Sequence, residues 1–377
     1  MTEATVETKE LTRSNGKART RRLKGLVLAG GKGSRLRPLT ATGAKQLVPV
    51  GNKPVLFYGL EQLVAAGIHE IVIVTGDTAE QVEAAVGDGS AFGADVTYIQ
   101  QSAPLGLAHG VITARDYLGD DPFCMFLADN FLKQGIEQHA RRFMEGGAAG
   151  QILLKRVEDA SAFGVAVLDD TGRVVRLVEK PKEPISNMAI VGVYFFGPEI
   201  HEITPTLKPS GRGELEITEA IQGLIDAGYR VDSSVIGDEW VDTGKKDDML
   251  EANRVVLAMI SRRVEGQVDA LSAIVGEVVI EPGATIIEST VRGPAVIGAG
   301  TMLRNAYVGP FTAIGDRCAL TDCEIEHSIV LSDSTIHGIG VRIADSLIGK
   351  EVVVERSSQR PQAVRLMLGD HAHVGLI

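Results

Sequence analysis

The chain has 377 residues and carries 38 Lys and Arg against 49 Asp and Glu, for a formal net charge of −11. This acidic balance, without a basic face, argues against a nucleic-acid partner. Apolar runs fall short of the roughly 20 residues that cross a bilayer, so we expect no membrane partner. The three cysteines contain no Cys-x-x-Cys pair, which argues against a zinc cluster or disulfide framework. Such a length can bury two hydrophobic cores, so two domains are expected.

The amino-terminal region is polar and rich in Lys and Arg. It lacks the apolar stretch that is typical of a secretory signal. We therefore predict a disordered tail over residues 1–23 and a cytoplasmic protein.

Continuous apolar runs alternate with helical patterns between residues 24 and 245. The runs occupy residues 26–28, 71–74, 96–99 and 123–127, and an amphipathic helix is predicted around residues 56–64. Strands that are apolar on both faces are typical of a mostly parallel sheet covered by helices. The sequence therefore predicts an α/β domain over residues 24–245.

A different pattern follows a linking helix predicted for residues 246–268. Aliphatic residues recur every 17 positions, at Ile280, Ile297, Ile314, Leu331 and Ile348. Further aliphatic pairs lie between them, at Ile286 and Val291, Leu303 and Val308, and Leu320 and Ile325. Hexapeptide-like steps of this kind are typical of a solenoid whose coils stack their apolar edges. We predict a parallel β-helix over residues 269–355 and a cap segment over residues 356–377.

The loop after the first apolar run is suited to an anion. It reads Gly30-Gly31-Lys32-Gly33-Ser34-Arg35-Leu36-Arg37-Pro38. Its glycines let backbone N–H groups approach phosphate oxygens, and Arg35 adds a fork of donors. A dinucleotide fingerprint does not fit, because Pro38 stands where a helix should run. A P-loop does not fit either, because Lys32 is followed by Gly33 rather than by Ser or Thr.

Other charged residues could act on phosphates or metals. Lys45 lies within one loop length of the glycines, where a second cation could cover a triphosphate. Asp129 follows an apolar run, at the end of a strand where ligands bind in open sheets. Together with Asp242 it could hold Mg²⁺, which takes one or two carboxylates plus substrate phosphates. The pair Glu179-Lys180 could serve a sugar phosphate, although alone it is an ordinary charged turn.

Taken together, these residues resemble the sugar nucleotidylyltransferases, and most closely the glucose-1-phosphate thymidylyltransferases. The earlier matching elements are Gly30-Gly31-x-Gly-x-Arg35, Lys45-Gln46-Leu47, Lys53-Pro54, Gly87-Asp88-Gly89-Ser90 and Gln101-x-x-Pro104-x-Gly106-Leu107-Ala108. The later elements are Asp129-Asn130, Phe163-Gly164-Val165, Glu179-Lys180-Pro181, Gly213-Glu214-Leu215-Glu216-Ile217-Thr218 and Trp240-x-Asp242-Thr243-Gly244. The resemblance implies a Rossmann-like nucleotidyltransferase domain followed by a left-handed parallel β-helix. It also implies transfer of a nucleotidyl group from dTTP to glucose 1-phosphate, for deoxysugar biosynthesis.

The resemblance further implies a role for each matching position. The implied catalytic cations are Arg35, Lys45 and Lys180. The nucleotide would be bound by Gly30, Gly31, Gly33, Ser34, Gln46, Gln101, Pro104, Gly106 and Leu107. The sugar would be surrounded by Gly164, Glu179, Ile190 and Gly192. Asp129 and Asp242 would coordinate Mg²⁺.

Three departures and several alternatives accompany this interpretation. Ala128 and Phe163 replace the commoner Gly and Tyr, and Leu105 replaces a more polar residue, which leaves UTP or broad nucleotide use open. In some relatives the β-helix is an acetyltransferase. If it were one in this chain, His327 and His337 would be the candidate bases. A non-catalytic regulatory homologue is the other alternative. Such a homologue should have lost Arg35, Lys45, Asp129 or Asp242, and all four are present. We expect the β-helix to serve oligomerisation or regulation, and hence a homo-oligomer.

Overall fold

The computed structural model describes residues 22–356, except 32, 42, 238 and 239, together with residues 372–375. The tail predicted for residues 1–23 and the cap predicted for 356–377 lie almost wholly outside the described residues. Within the described part of the chain, no helix is long and apolar enough to cross a membrane.

Strands and helices alternate through the first domain. Its strands are β1 (Lys24–Ala29), β2 (Pro49–Val50), β3 (Lys53–Pro54), β4 (Glu70–Thr75), β5 (Asp95–Gln100), β6 (Phe123–Leu127), β7 (Asn130–Leu132), β8 (Gly150–Arg156), β9 (Gly164–Leu168), β10 (Val174–Glu179), β11 (Met188–Phe196), β12 (Val231–Val235) and β13 (Trp240–Asp242). Its helices are α1 (Val55–Ala65), α2 (Ala79–Val86), α3 (Leu107–Thr113), α4 (Arg115–Leu118), α5 (Glu137–Gly146), α6 (Ile200–Ile203), α7 (Ile217–Asp226) and α8 (Lys246–Leu257). Short 3₁₀ turns cover Ser34–Leu36, Leu39–Ala41, Lys45–Leu47, Ser90–Phe92 and Thr204–Thr206.

The central sheet follows the order β10-β9-β11-β6-β1-β4-β5, and β8 and β12 extend it beside β11. Strands β6, β1, β4 and β5 are parallel to one another, whereas β11 runs antiparallel to β6. Side chains on the two faces of β1 enter different cores, with Val27 on one side and Leu26 on the other. Burial on both faces explains the continuous apolar runs, and the predicted α/β domain of Rossmann-like type is confirmed.

The carboxyl ends of the four parallel strands meet at one edge of the sheet. Gly30 follows β1 there, Gln101 follows β5 and Asp129 lies just beyond β6. A backbone hydrogen bond from Ala128 N–H to the Leu28 carbonyl (3.1 Å) holds the end of β6 against β1. Ligands of open α/β sheets bind at this edge, so the fold gathers the predicted site residues there.

The linking segment differs from the prediction. Only Lys246–Leu257 is helical, and residues 263–268 already pair with the next coil as strands. Glycine at position 266 permits this pairing, because a Cβ there would lie 2.6 Å from the Ala284 carbonyl oxygen. The chain thus enters the β-helix at Arg263 rather than at residue 269.

Short strands stacked in register build the second domain. They are β14 (Arg263–Val264), β15 (Gln267–Val268), β16 (Ala273–Val275), β17 (Val278–Ile280), β18 (Thr285–Ile287), β19 (Thr290–Arg292), β20 (Ala295–Ile297), β21 (Met302–Val308), β22 (Thr312–Ile314), β23 (Ala319–Ile325), β24 (Ile329–Val330), β25 (Thr335–His337), β26 (Arg342–Ile343), β27 (Leu347–Ile348) and β28 (Val353–Glu355). Every coil-to-coil pairing among them is parallel, for example β17 on β20 and β20 on β22. This arrangement is the one expected of a left-handed β-helix.

One predicted repeat position is wrong. In the fourth coil it is Val330, not Leu331, that stacks between Ile314 and Ile348. Val308 stacks on Ile325 and Ala313 stacks on Ile329, so the chain takes five steps between the stacked positions in one coil and four in the next, and the register slips by one position. As a result the Val330 side chain is fully buried inside the coils, and Leu331 faces the first domain.

The two domains share an apolar contact. Helix α8 contributes Met249 and Val256, the β2–β3 hairpin contributes Val50, and the β-helix contributes Ile329 and the displaced Leu331. The β-helix therefore packs directly on the segments that follow the predicted phosphate loop.

Candidate active site

The glycine loop after β1 is shaped by close contacts on one side and open space on the other. A Cβ on Gly31 would meet nothing within 4 Å, so the backbone here faces an open cleft. Gly33 has φ +60°, and a Cβ on it would lie 2.8 Å from the Lys45 Cβ. Glycine is thus required at position 33 both for the left-handed backbone and for the approach of Lys45. Arg35 follows in an exposed 3₁₀ turn and packs over Gly244.

Lys45 and Asp129 form an ion pair at the edge of the sheet. Lys45 Nζ lies 2.5 Å from Asp129 Oδ2, and only 8% of the Lys45 side chain is exposed. Burial alone would raise the pKa of the Asp129 carboxyl, but the charge and hydrogen bond of Lys45, with a hydrogen bond from Asn130, hold it below its usual range. Asp129 is therefore ionised at neutral pH.

Asn130 orients the Asp129 carboxylate through a hydrogen bond to Oδ1. Its Nδ2 donates to Asp129 Oδ1 (3.0 Å), and its Oδ1 accepts from the Trp240 indole N–H (2.5 Å) and from the Gly192 N–H (3.2 Å). A Cβ on Gly192 would lie 2.6 Å from the Asn130 amide, so only glycine lets the strand approach. Gly192, implied to lie around the sugar, thus packs against Asn130.

Asp242 is brought to Asp129 by a two-stranded ribbon. Strand β13 pairs antiparallel with β7, which places Asp242 opposite Asn130. The Thr243 N–H and hydroxyl both donate to the Asp129 carbonyl, at 3.0 and 2.8 Å. Burial, and then repulsion from Asp129, raises the pKa of Asp242 to about 6.

The two carboxylates fit a divalent cation that also binds substrate oxygens. Asp242 Oδ1 is buried and has no hydrogen-bond partner among the described residues. A buried oxygen of this kind, next to a second carboxylate, suits the oxygen ligation that Mg²⁺ prefers. No cluster of three or more metal-ligating side chains occurs in the described ranges, so the remaining ligands would have to come from substrate and water.

A cavity of about 400 Å³ lies along the same edge. Nine predicted residues line it: Gly30, Gly31, Lys45, Gln46, Gln101, Pro104, Gly106, Leu107 and Asp129. Its volume is in the range of small-molecule sites, about 300–1,000 Å³. The Leu105 side chain is 40% exposed and outside the lining, so this departure leaves the lining unchanged.

His109 on α3 is a residue that the sequence interpretation missed. The Gln101 amide nitrogen lies 2.7 Å from His109 Nδ1 and donates to the Gly106 carbonyl at 3.4 Å. The amide nitrogen of Gln101 makes both contacts, and its amide oxygen Oε1 faces Gly30. His109 stands three residues after Gly106, and no sequence signal distinguished it from an ordinary helical histidine.

A second group of predicted residues adjoins the first around Glu179. Gly164 leaves room for Thr218, whose hydroxyl donates to Glu179 Oε2 at 3.3 Å, and Ile190 lies beside them. Burial, and then repulsion from Glu216, raises the pKa of Glu179. Lys180 Nζ is 3.7 Å from Glu179 Oε1 and is exposed, in a left-handed backbone conformation with φ +39°. This group offers one carboxylate and one ammonium to a ligand.

Arg212 adds a further cation that the sequence interpretation missed. Its guanidinium contacts Glu179 at 3.3 Å, Glu214 at 3.2 Å and the buried Glu216 at 2.9 Å. Two features of the sequence could have identified Arg212. It directly precedes the Gly213–Thr218 motif, and it stands four residues before Glu216. With Lys180, it places two cations beside the Glu179 carboxylate.

The histidines of the β-helix stand apart from both groups. His327 Nδ1 pairs with Asp345 Oδ1 at 2.5 Å on a coil corner, and the His337 side chain is exposed on β25. Neither environment favours the alternative of acetyl transfer over a structural role for these histidines.

Comparisons with known proteins identify the family of this chain. The family described as nucleotidyl transferase matches residues 24–258. A glucose-1-phosphate thymidylyltransferase of Streptomyces antibioticus is 55% identical over 93% of this chain and 99% of its own length. The low-salt glycan biosynthesis nucleotidyltransferase Agl11 of Haloferax volcanii is 44% identical over 94% of this chain and 100% of its own.

Two solved structures match part of the chain. A Bacillus anthracis protein described as a glucose-1-phosphate thymidylyltransferase, in complex with a sucrose, superposes with a TM-score of 0.58 at 33% identity and covers 62% of this chain and 94% of that one. A UDP-glucose pyrophosphorylase complexed with UDP-glucose gives a TM-score of 0.57 at 25% identity, over 63% of this chain and 98% of that one.

Proposed function

This chain belongs to the nucleotidyl transferase family, and we propose that it transfers a thymidylyl group from dTTP to glucose 1-phosphate, with release of pyrophosphate. The pair of the buried Lys45 with the partly exposed Asp129 carries the proposal, because it sets a cation and a carboxylate against the glycine loop in one cavity. The names of the 55% and 54% identical Streptomyces relatives support the choice of dTTP and glucose 1-phosphate. We further propose that the dTDP-glucose produced supplies deoxysugar biosynthesis.

The reaction needs positioning more than it needs acid–base chemistry. The second pKa of a phosphate monoester is about 6, so glucose 1-phosphate is mostly a dianion at neutral pH and requires no general base. One of its oxygens attacks the α-phosphorus of dTTP in line, and the bond to the pyrophosphate leaving group breaks. The protein holds both phosphates close together and offsets their repulsion.

The charged side chains divide this work. Lys45, at the cavity, would bind the α-phosphate, and the exposed Arg35 would bind the departing pyrophosphate. Lys180 and Arg212 would bind the phosphate of the sugar, while the Glu179 carboxylate would accept hydrogen bonds from sugar hydroxyls. Gln101 and the backbone at Gly106 would bind the base. Each of these four cations is thus assigned to a phosphate that the reaction brings in or releases.

Asp129 and Asp242 would hold Mg²⁺ in this proposal. Bound there, Mg²⁺ would neutralise charge that develops on the α-phosphate. The unpartnered Asp242 Oδ1 supports this assignment.

The metal assignment is tested by Asp242→Asn, with Asp247→Asn as the control because the Asp247 side chain is 88% exposed on α8. We expect Asp242→Asn to lose more than about 100-fold in kcat and to lose Mn²⁺ binding measured by electron paramagnetic resonance. Asp247→Asn should keep both. If Asp242→Asn binds Mn²⁺ and turns over as the wild type does, the metal is held elsewhere.

A further inference from the structure

The β2–β3 hairpin connects the Lys45 segment to the β-helix. Lys45 begins a 3₁₀ turn, and the Val48 N–H donates to the Lys45 carbonyl at 3.1 Å just before the hairpin starts. Val50 is fully buried against α8 in the contact between the domains. The backbone position of Lys45 is therefore continuous with the position of this hairpin.

The tip of the hairpin is tied to the β-helix by side-chain amides. Asn52 Nδ2 donates to the Ile314 carbonyl at 2.6 Å. The Gly51 N–H donates to Asn253 Oδ1 at 2.8 Å, and Asn253 Nδ2 donates to the Phe311 carbonyl at 3.0 Å. The fully buried Asn253 thus bridges the hairpin, α8 and the β-helix.

Backbone geometry makes this tip specific. Gly51 has φ +56°, and a Cβ there would lie 2.6 Å from Val256 Cγ1 on α8. Asn52 has φ +63°, a left-handed conformation that asparagine tolerates better than most residues. The tip therefore lies between α8 and β22 in a left-handed backbone conformation that favours Gly at 51 and Asn at 52.

We propose that Asn52 and Asn253 are positioning residues for nucleotidyl transfer, which tie the hairpin to the β-helix and so hold Lys45 in the nucleotide cavity. The inference rests on the proposed function, in which Lys45 binds the α-phosphate. Asp129 holds the Lys45 ammonium at 2.5 Å, and the ammonium reaches that position only if the Lys45 backbone is held as well. The β-helix thereby contributes to catalysis without touching a substrate.

The first test replaces Asn52 with Gly, which keeps the left-handed backbone but removes the amide. The matched control is Asn305→Gly, because Asn305 also has a positive φ of 46° and donates one amide hydrogen bond, to Asp322 at 2.6 Å, on another corner of the β-helix. We expect Asn52→Gly to lower kcat by about 10-fold and to leave KM for glucose 1-phosphate within about twofold. Asn305→Gly should change neither.

A double-mutant cycle separates positioning from general destabilisation. If Asn52 acts through Lys45, Asn52→Gly should add less than about twofold to the loss caused by Lys45→Ala. Equal losses in the two backgrounds would contradict the proposal. So would a kcat of Asn52→Gly or Asn253→Asp that matches the wild type.

Hydrogen exchange tests the same tie without any reaction. The peptide over residues 44–50 should exchange faster in ligand-free Asn52→Gly than in the wild type or Asn305→Gly. Unchanged exchange would overturn the inference even if the wild type proved inactive. An inactive wild type with faster exchange in Asn52→Gly would contradict the proposed function and leave the tie intact.

Discussion

Replacing Lys45 with Met removes one charge from the site and keeps the length of the side chain. The charge of the Lys45 ammonium helps to hold the pKa of Asp129 below its usual range, and it limits the rise in the pKa of Asp242. Without it the two carboxylates repel each other with less compensation, and the α-phosphate loses its proposed ligand. Both stability and turnover should therefore fall.

The size of each loss follows from the geometry of the pair. Removing one partner of a buried ion pair costs about 3–5 kcal/mol. The Asp129 side chain is 29% exposed, and water recovers part of this cost. We therefore expect the free energy of unfolding to fall by about 2–3 kcal/mol. Loss of one electrostatic ligand of the reacting group should lower kcat by about 10²–10³-fold.

The assay follows urea unfolding by the fluorescence of Trp240, the single tryptophan, which is buried beside Asn130 and so reports on the first domain. Pyrophosphate release gives kcat. Lys53→Met is the control, because Lys53 on the nearby β2–β3 hairpin pairs with Glu61 at 2.6 Å but is 36% exposed, and such surface pairs contribute about 0–1 kcal/mol. If Lys45→Met and Lys53→Met behaved alike, the role assigned to the buried pair would be refuted.

Two further predictions concern histidines. Burial, and then repulsion from Arg115, lowers the pKa of His201 to about 4, and its ring nitrogens have no hydrogen-bond partner among the described residues. Because the pKa of His201 is about 6.5 in the unfolded chain, its contribution to stability is complete above that pH and is lost as the pH falls toward 4. Relative to His201→Phe, the free energy of unfolding of the wild type should fall by at most about 2 kcal/mol between pH 7 and pH 5, measured by urea unfolding. An equal pH dependence in the two proteins would contradict this. His109→Leu removes the acceptor beside the Gln101 amide nitrogen, so the amide can turn. The preference for dTTP over CTP, measured as a ratio of kcat/KM, should then fall by about 10-fold. An unchanged ratio would exclude a role for His109 in orienting Gln101.

Local patterns predicted much of the fold. Strands such as Phe123–Leu127 are apolar throughout because helices cover both faces of the sheet, and this signal is visible within a few residues. The repeat of 17 residues reflects coils that stack directly on one another, so the β-helix was also visible. The slip at Val330 was not, because it depends on the length of one corner rather than on the aliphatic pattern.

The sequence predicted a set of residues, nine of which line one cavity, but it did not predict their contacts. The glycine loop, Lys45 and Asp129 each carried a recognisable chemical signal. The ion pair between Lys45 and Asp129 joins residues 84 positions apart, and the bond from Asn52 to Ile314 spans 262 positions. Such contacts are set by how sheet and coils pack, which local spacing does not encode.

The most direct test of the central claim is pyrophosphate release by the purified chain with Mg²⁺ and glucose 1-phosphate, with dTTP, UTP, ATP, CTP and GTP compared side by side. The account predicts that dTTP gives the highest kcat/KM and that dTDP-glucose accumulates with the pyrophosphate. Release with none of the five nucleotides would contradict the account, and a clear preference for UTP would contradict the assignment of dTTP.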